Sequence, residues 1–336
     1  MQDLSNIVGG AELQDRFSRR FQYLRLSLTD VCNFSCSYCL PGGYRKQKGA
    51  PPQLTVDETI RLVRAFAALG VWKIRLTGGE PTIRSEFLEI ASRVAAIDGI
   101  RKLAVTTNGY RLPERAASYA QAGITAINIS TDSLSSEKFR EITKHDRLSE
   151  ILDGITACQQ AGIKAIKVNT VLLKGLNDDE LADFVAFVKD RPISLRFIEL
   201  MRTNDNSAYF ERHHLSGTKV TDMLEASGWH QLPRAIGAGP AVEFSHTHSV
   251  GRIGLIAPYS PDFCASCNRL RVSAIGKLHL CLFGEGGYDL RPLLQSDSME
   301  AELIERICGL MVHKTPAHDL HNGNSGVTPH LASIGG

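Results

Sequence analysis

The 336-residue chain contains no apolar run of the roughly 18 residues that a membrane-spanning helix needs. Residues 1–20 mix Asp, Glu, Gln and Arg with isolated apolar positions and lack the apolar stretch of a secretory signal. A cytoplasmic protein that meets no membrane is therefore expected. Neither sign of charge dominates: 38 Lys and Arg face 36 Asp and Glu, for a net charge of +2. That excludes a strongly basic nucleic-acid binder, though not a local basic patch. With 43% hydrophobic and 22% charged residues, the composition is that of a folded globular protein rather than a disordered one. The length suits one large domain with an appendage, or two domains. In a reducing compartment the eight cysteines are not a disulfide framework.

What is present between Phe21 and Leu200 is an alternation of two kinds of segment. Short apolar runs read as strands at 23–28, 72–76, 102–106, 125–129, 165–170 and 194–198. Longer amphipathic runs lie between most of them. Thr55 and Glu58 form a capping box before the stripe Ile60, Val63, Phe66 and Ala67, and Gly70 stands where a helix-terminating glycine belongs. Asn177 and Glu180 repeat the cap logic before Leu181, and Pro113 suits a first helical turn. Helical runs also follow Ser85 and Ser149. Such alternation predicts an α/β fold with a parallel sheet and right-handed crossovers. Six strands are too few for the usual eight-stranded closed barrel, so a partial, open (βα)6 TIM-like barrel is expected. The division predicted is an extension over 1–20, the barrel over 21–205 and an irregular module over 206–336. The tail from 314 is rich in His, Gly and Asn, non-periodic, and ordered only if it docks.

Cys32, Cys36 and Cys39 follow the first strand with the spacing CxxxCxxC. A triplet of soft thiolates suits Zn, Cu(I) or an iron–sulfur cluster. Structural Zn takes a fourth ligand, and no histidine lies nearby. Three thiolates on a [4Fe-4S] cube leave one iron free for substrate. The bland alternative is three buried structural cysteines. Cys264, Cys267 and Cys281 form a second triplet, for which His279 keeps a Cys3His zinc site open. Cys158 and Cys308 read as small buried hydrophobes.

The unusual residues fall at the carboxyl ends of the predicted strands. They are Ser27 with the first cysteine loop, Gly78-Gly79-Glu80-Pro81, Thr106-Thr107-Asn108-Gly109, Ser130 with Asp132, Asn169, and Glu199 with Met201. Parallel barrels place their active sites on that face.

These residues carry a family resemblance. CxxxCxxC with Tyr38 before the third cysteine, together with GGEP, resembles the radical S-adenosylmethionine (SAM) enzymes. The strings at 23–30, 74–81, 106–110 and 263–271, with Cys281-Leu-Phe283 and the final Gly335-Gly336, are similar to those of the GTP 3′,8-cyclase family of molybdenum cofactor biosynthesis. The resemblance implies a lyase carrying two [4Fe-4S] clusters. Cys32, Cys36 and Cys39 would hold the cluster that chelates SAM, and Cys264, Cys267 and Cys281 a second one facing the guanine of GTP. Tyr38, Gly79, Ser130 and Met201 would line the SAM site. Arg25, Arg75, Thr106, Lys167, Arg269, Leu270 and Arg271 would bind GTP, and Gly335 and Gly336 would reach the reacting centre. A triphosphate needs several cations, and Arg269 and Arg271 share one side of a strand. No GxxxxGK string followed by Ser or Thr is present, so GTP would be a substrate rather than a switch ligand.

The sequence departs from the family's usual pattern at Val31, Leu40, Ile275 and His279. The implied reaction begins with a one-electron donor, flavodoxin- or ferredoxin-like. SAM is cleaved to methionine and a 5′-deoxyadenosyl radical, the 3′ hydrogen of GTP is abstracted, and the ribosyl radical attacks guanine C8. The product would pass to cyclic pyranopterin monophosphate synthase. Monomer and homodimer remain open.

Overall fold

The structure, a computed structural model, describes residues 12–45, 49–235 and 237–335. Six parallel strands form its centre: β1 (Tyr23–Ser27), β2 (Lys73–Thr77), β3 (Lys102–Thr107), β4 (Ala126–Ser130), β5 (Ala165–Leu172) and β6 (Ser194–Glu199). Between them run α1 (Val56–Ala68), α2 (Phe87–Ala95), α3 (Leu112–Gln121), α4 (Ser136–Thr143), α5 (Leu148–Gln160) and α6 (Leu181–Val188). The capping box forms as expected. Thr55 Oγ1 accepts from the Glu58 amide at 3.2 Å, and Glu58 Oε2 accepts from the Thr55 amide at 2.7 Å. Gly70 ends the helix at φ +83°, a conformation glycine adopts without strain.

The cap expected at Asn177 and Glu180 does not form. Asn177 Nδ2 instead donates to the carbonyls of Asp132 and Val171, at 2.6 and 2.8 Å. Glu180 accepts from Ser133 Oγ and from the amides of Leu134 and Ser135. Both side chains are drawn to the loop after β4, so α6 starts without a side-chain cap. Helix α4 was not expected, because its buried apolar residues are only Phe139 and Ile142.

Beyond residue 206 come α7 (Ser207–His213), α8 (Thr218–Ala226), β7 (His230–Gln231), β8 (Val242–Ser245), β9 (Arg252–Ile256), β10 (Arg269–Val272), β11 (Lys277–His279), β12 (Tyr288–Asp289) and α9 (Glu300–Leu310). These strands extend the same sheet at both edges, in the order β12-β11-β10-β1-β2-β3-β4-β5-β6-β9-β8-β7. β10 pairs parallel with β1, and β9 parallel with β6. The sheet stays open, and the C-terminal residues share its core: Leu270, Leu278 and Leu303 pack in one cluster with Leu24 and Leu62.

Period-two alternation sets the two faces of the sheet. Leu24, Ile74, Val105, Ile127, Val168, Leu195 and Phe197 turn outward into that apolar core. The other face carries Arg25, Arg75, Thr106, Asn128, Lys167, Arg196 and Arg271 around a chamber. Cys158 is buried as expected, but Cys308 is exposed, since α9 buries Leu303, Ile307 and Leu310 instead. Among the described residues no helix is long and apolar enough to cross a membrane.

Candidate active site

The chamber is lined from β1 to β6 and from β9 and β10. Its floor is cationic because neighbouring strands place their inward residues in register. Tyr23 lies beside both Lys73 and Arg269, and Arg25 beside both Arg75 and Arg271. Tyr23 is the hub: its hydroxyl accepts from Arg75 Nε at 2.5 Å, and Lys73 Nζ stands 4.2 Å over its ring. Burial alone would raise the Tyr23 pKa, but Arg75, Arg25 and Lys73 together hold it well below the usual phenol range. The cations are strained in turn. Burial lowers Arg25 to about 10, and burial with Arg196 nearby lowers Lys167 to about 7. Arg75 Nη1 donates to Thr106 Oγ1 at 3.2 Å. Glu243 pairs with Arg196 at 2.6 Å. Asn128 and Asn169 each line the chamber and keep a buried Oδ1 without a partner. A wall of clustered cations calls for an anionic ligand, and the two orphaned amide oxygens call for hydrogen-bond donors on it.

The first cysteine loop sits at the carboxyl end of this face. GGEP holds it by close backbone approach. The Gly79 amide donates to the Thr29 carbonyl at 2.8 Å and the Glu80 amide to the Val31 carbonyl at 2.7 Å. A Cβ on Gly78 would collide with the Thr29 carbonyl, and one on Gly79 with that of Val31. The buried Glu80 carboxylate accepts from Thr82, Thr107 Oγ1 and the Asn108 amide, which joins β2 to β3. Asn108 Nδ2 then reaches Asn33 inside the cysteine loop at 2.8 Å.

Cys32, Cys36 and Cys39 all line the chamber. Burial, then the negative charge of Asp132 and of the other two thiols, pushes Cys36 well up. Burial, with Cys32 beside it, pushes Cys39 to about 12. Tyr38 donates to Asp132 Oδ2 at 2.9 Å. Burial raises Asp132 to about 6 against hydrogen bonds from Val171 and Tyr38. Backbone amides face the sulfurs: Phe34 and Asn33 at Cys32, Ala332 and Leu331 at Cys39. A neutral thiol needs an acceptor, whereas these sulfurs meet donors, which suits thiolate ligands.

Cys264 stands close enough to Cys267 and Cys281 for their charges to bear on it, and none of the three is among the residues lining the chamber. The surroundings here are cationic. Burial opposes ionisation of Cys267, but Arg269, Lys314 and Arg19 lower its pKa. A strap over 314–318 covers this triplet: Arg19 Nη1 holds the Pro316 carbonyl at 2.6 Å and the Cys264 carbonyl at 3.1 Å. The His318 amide faces Cys264. Among the described residues no group of three His, Cys, Asp or Glu side chains is arranged to hold a single metal ion, at this triplet or the first. A cube spreads its cysteines over separate irons, so it does not require that tight grouping. Burial lowers the His279 pKa to about 4, with Arg271 and Lys277 adding to it.

The tail enters the chamber. Ile334 packs with Leu282, Phe283 and Leu320, and Leu331 and Met201 join that cluster. The Gly335 carbonyl accepts from Arg25 and Arg271. Gly336 lies outside the described residues.

The structure thus brings Tyr38, Gly79, Ser130, Met201, Arg25, Arg75, Thr106, Lys167, Arg269 and Arg271 onto one chamber with the first triplet. Leu270 is the exception: its side chain is in the apolar core, because its place between two inward arginines turns it outward. Lys73, Asn128 and Arg196 line the chamber too and were not singled out from sequence. Their even spacing with Arg75, Ser130 and Ile198 was the available signal.

Residues 26–188 match the Radical SAM superfamily, and residues 193–320 match Molybdenum Cofactor Synthesis C. A GTP 3′,8-cyclase of Stenotrophomonas maltophilia is 59% identical over 326 residues, covering 97% of this chain and 100% of its own. One from Aeromonas hydrophila is 54% identical over 96% of each chain. This chain belongs to the GTP 3′,8-cyclase family. Among solved structures, Streptococcus suis SuiB bound to S-adenosylmethionine aligns with a TM-score of 0.60 at 13% identity. It covers 88% of this chain and 69% of SuiB, a likeness of fold. The family's fold is therefore that of a radical SAM enzyme with an open α/β sheet and an added C-terminal module.

Proposed function

We infer that this chain converts GTP to (8S)-3′,8-cyclo-7,8-dihydroguanosine 5′-triphosphate with SAM, in molybdenum cofactor biosynthesis. The observation that carries the reading is the cationic floor built from in-register strands, which shares its chamber with the first thiol triplet and whose Arg269 stands near Cys267 of the second. A triphosphate would meet Arg25, Arg75, Lys167, Arg269 and Arg271, with Thr106 fixed through Arg75. Arg guanidiniums offer planar paired donors, and the lysine a point charge. The end beside Cys32, Cys36 and Cys39 has the carboxyls Glu80 and Asp132 as its charged groups rather than cations, which suits the positive sulfonium of SAM, with Tyr38, Gly79, Ser130 and Met201 as its walls.

Cys32, Cys36 and Cys39 would hold one [4Fe-4S] cluster, and Cys264, Cys267 and Cys281 a second. Bound there, cluster and SAM would supply the one-electron chemistry that the side chains lack. The chain's own part is to seat the ribose between the two ends, neutralise phosphate charge and exclude water. The tail closes that space from the side of Arg25 and Arg271. An external one-electron donor of the flavodoxin or ferredoxin kind would feed the first cluster.

Anaerobic turnover with GTP and SAM, followed by chromatography of the products, tests the reading. Cyclised GTP formed together with 5′-deoxyadenosine is expected. 5′-Deoxyadenosine without any cyclised nucleotide, or modification of a peptide instead, would overturn it.

A further inference from the structure

Lys314 is a buried lysine without a carboxylate. It is 3% exposed, and among the described residues no Asp or Glu lies within ion-pair distance of it. Its Nζ donates to the Leu280 carbonyl and stands 4.9 Å over the Phe21 ring. A carbonyl dipole and a π face do not replace the water an ammonium loses on burial; a buried charge needs an opposite one. An acidic side chain that its charge reaches is the Cys267 thiol of the second triplet. Leu280 directly precedes Cys281, and the Lys314 charge bears on Cys267.

The two triplets differ in just this respect. Asp132 and Glu80 are the charged neighbours bearing on Cys36 and Cys32. Around the second triplet stand Arg19, Arg234, Arg269 and Lys314. Arg234 Nη2 donates to the Ser266 carbonyl, between Cys264 and Cys267, at 2.9 Å. Arg19 is balanced by Asp15 at 2.7 Å. Lys314 has no such balance.

We propose that Lys314 is the counter-charge built into the fold for the iron–sulfur cluster of the second triplet, and that it raises that cluster's reduction potential above that of the first. The inference rests on the reading that Cys264, Cys267 and Cys281 hold such a cluster. Reduction places one more negative charge on a group already ligated by three thiolates. A fixed buried cation stabilises the reduced form more than the oxidised one, and buried carboxylates do the opposite. Local charge and burial are the protein's levers on such potentials. Lys314 acts through the cluster and makes no contact with the chamber floor, so it is a positioning and tuning group rather than a catalytic one.

The test is a redox titration followed by electron paramagnetic resonance on the full reconstituted chain. Cys36→Ala isolates the second cluster and Cys267→Ala the first. Iron and sulfide counts come first: absence of a cluster from Cys36→Ala defeats the underlying reading, not the tuning. With the cluster loaded, the second site should titrate at higher potential than the first. Lys314→Met, which keeps the apolar stem, should move its midpoint to lower potential, and Lys314→Arg should restore it. In the Cys267→Ala background Lys314→Met should leave the midpoint unchanged. An unshifted midpoint in a fully loaded Lys314→Met chain overturns the proposal. Should Lys314→Met take up no iron, Lys314→Arg decides. Loading with the native midpoint supports the counter-charge, and failure of both variants assigns Lys314 to packing alone.

Discussion

The Gly335 carbonyl oxygen accepts from Nε and Nη2 of Arg25, at 3.1 and 3.0 Å. A residue at the chain's far end thereby touches the first strand of the sheet, beside the cations expected to hold a triphosphate. Gly335 sits at φ +69°, and a Cβ there would collide with Thr77. Leu331 and Ala332, a few residues earlier, present their amides to Cys39. The tail therefore spans from one end of the chamber to the other.

Gly335→Ala should lower cyclisation about tenfold or more. A left-handed conformation costs a non-glycine residue roughly 1–2 kcal/mol before the Thr77 collision is counted. Iron content should not change, because the cysteines keep their donors. Removing residues 331–336 should differ by also disturbing the first cluster, through loss of the Leu331 and Ala332 amides. Product yield and iron counts on the two variants check this; normal product from Gly335→Ala would return the tail to a passive role.

The two triplets should divide their labour. Reconstituted native chain should hold about eight irons, from two four-iron cubes. Cys36→Ala should lose cleavage of SAM to 5′-deoxyadenosine. Cys267→Ala should retain cleavage yet form no cyclised nucleotide. A Cys267→Ala chain unable to cleave SAM would show that the triplets do not act separately.

Much of this was legible in sequence, for a local reason. Strand positions were set by short apolar runs, and the Thr55–Glu58 box closes within one turn. The cysteine spacings are local too. What could not be read depended on distant partners. Nothing near Arg269 says that β10 pairs with β1, over 240 positions away. Asn177 and Glu180 look like a cap until the loop at 132–135 claims them. Cys308 sits among apolar neighbours, yet the rotation of α9 leaves it exposed. Lys73 and Arg196 gain meaning only when the strands lie side by side.

Glu58 joins the capping box to the C-terminal residues, since Arg291 Nε lies 2.9 Å from Oε1. Burial pushes this carboxyl up, but hydrogen bonds from Arg291, the Thr55 amide and Gln295 outweigh it and hold the pKa at about 2. A carboxyl lowered by folding stabilises above its unfolded pKa, and that stability is lost as pH falls through the folded value. The contribution should be complete at pH 7 and fade between about pH 4.5 and 2. Glu58→Gln should cost about 1–3 kcal/mol at pH 7, the scale of a hydrogen bond to a charged group. Thermal unfolding across pH measures it. Native and variant chains that lose stability in parallel below pH 4.5 would discount the carboxylate.

With Lys167 in the proposed triphosphate site, GTP binding should be pH-dependent in a defined direction. Burial first, then Arg196, lowers its pKa to about 7, with Arg75 and Lys73 adding to the shift and Glu243 opposing it. Near pH 7 the free enzyme therefore holds this lysine only partly charged. A bound triphosphate favours the ammonium and raises its pKa in the complex. Below pH 7 the lysine is already charged and affinity is full. As pH climbs from there toward the pKa of the complex, each binding event must take up a proton, and affinity should fall by up to about tenfold per unit. The phosphate itself contributes little to this slope, since its last ionisation lies near 6. Lys167→Arg keeps its charge throughout and should flatten the profile, while Lys167→Met should flatten it at an affinity lower by about 1.5–3 kcal/mol. Calorimetric titration of GTP between about pH 6.5 and 8.5 reads all three proteins on either side of the Lys167 value. Equal slopes for the native chain and Lys167→Arg would place the proton elsewhere in the chamber and take Lys167 out of the triphosphate site.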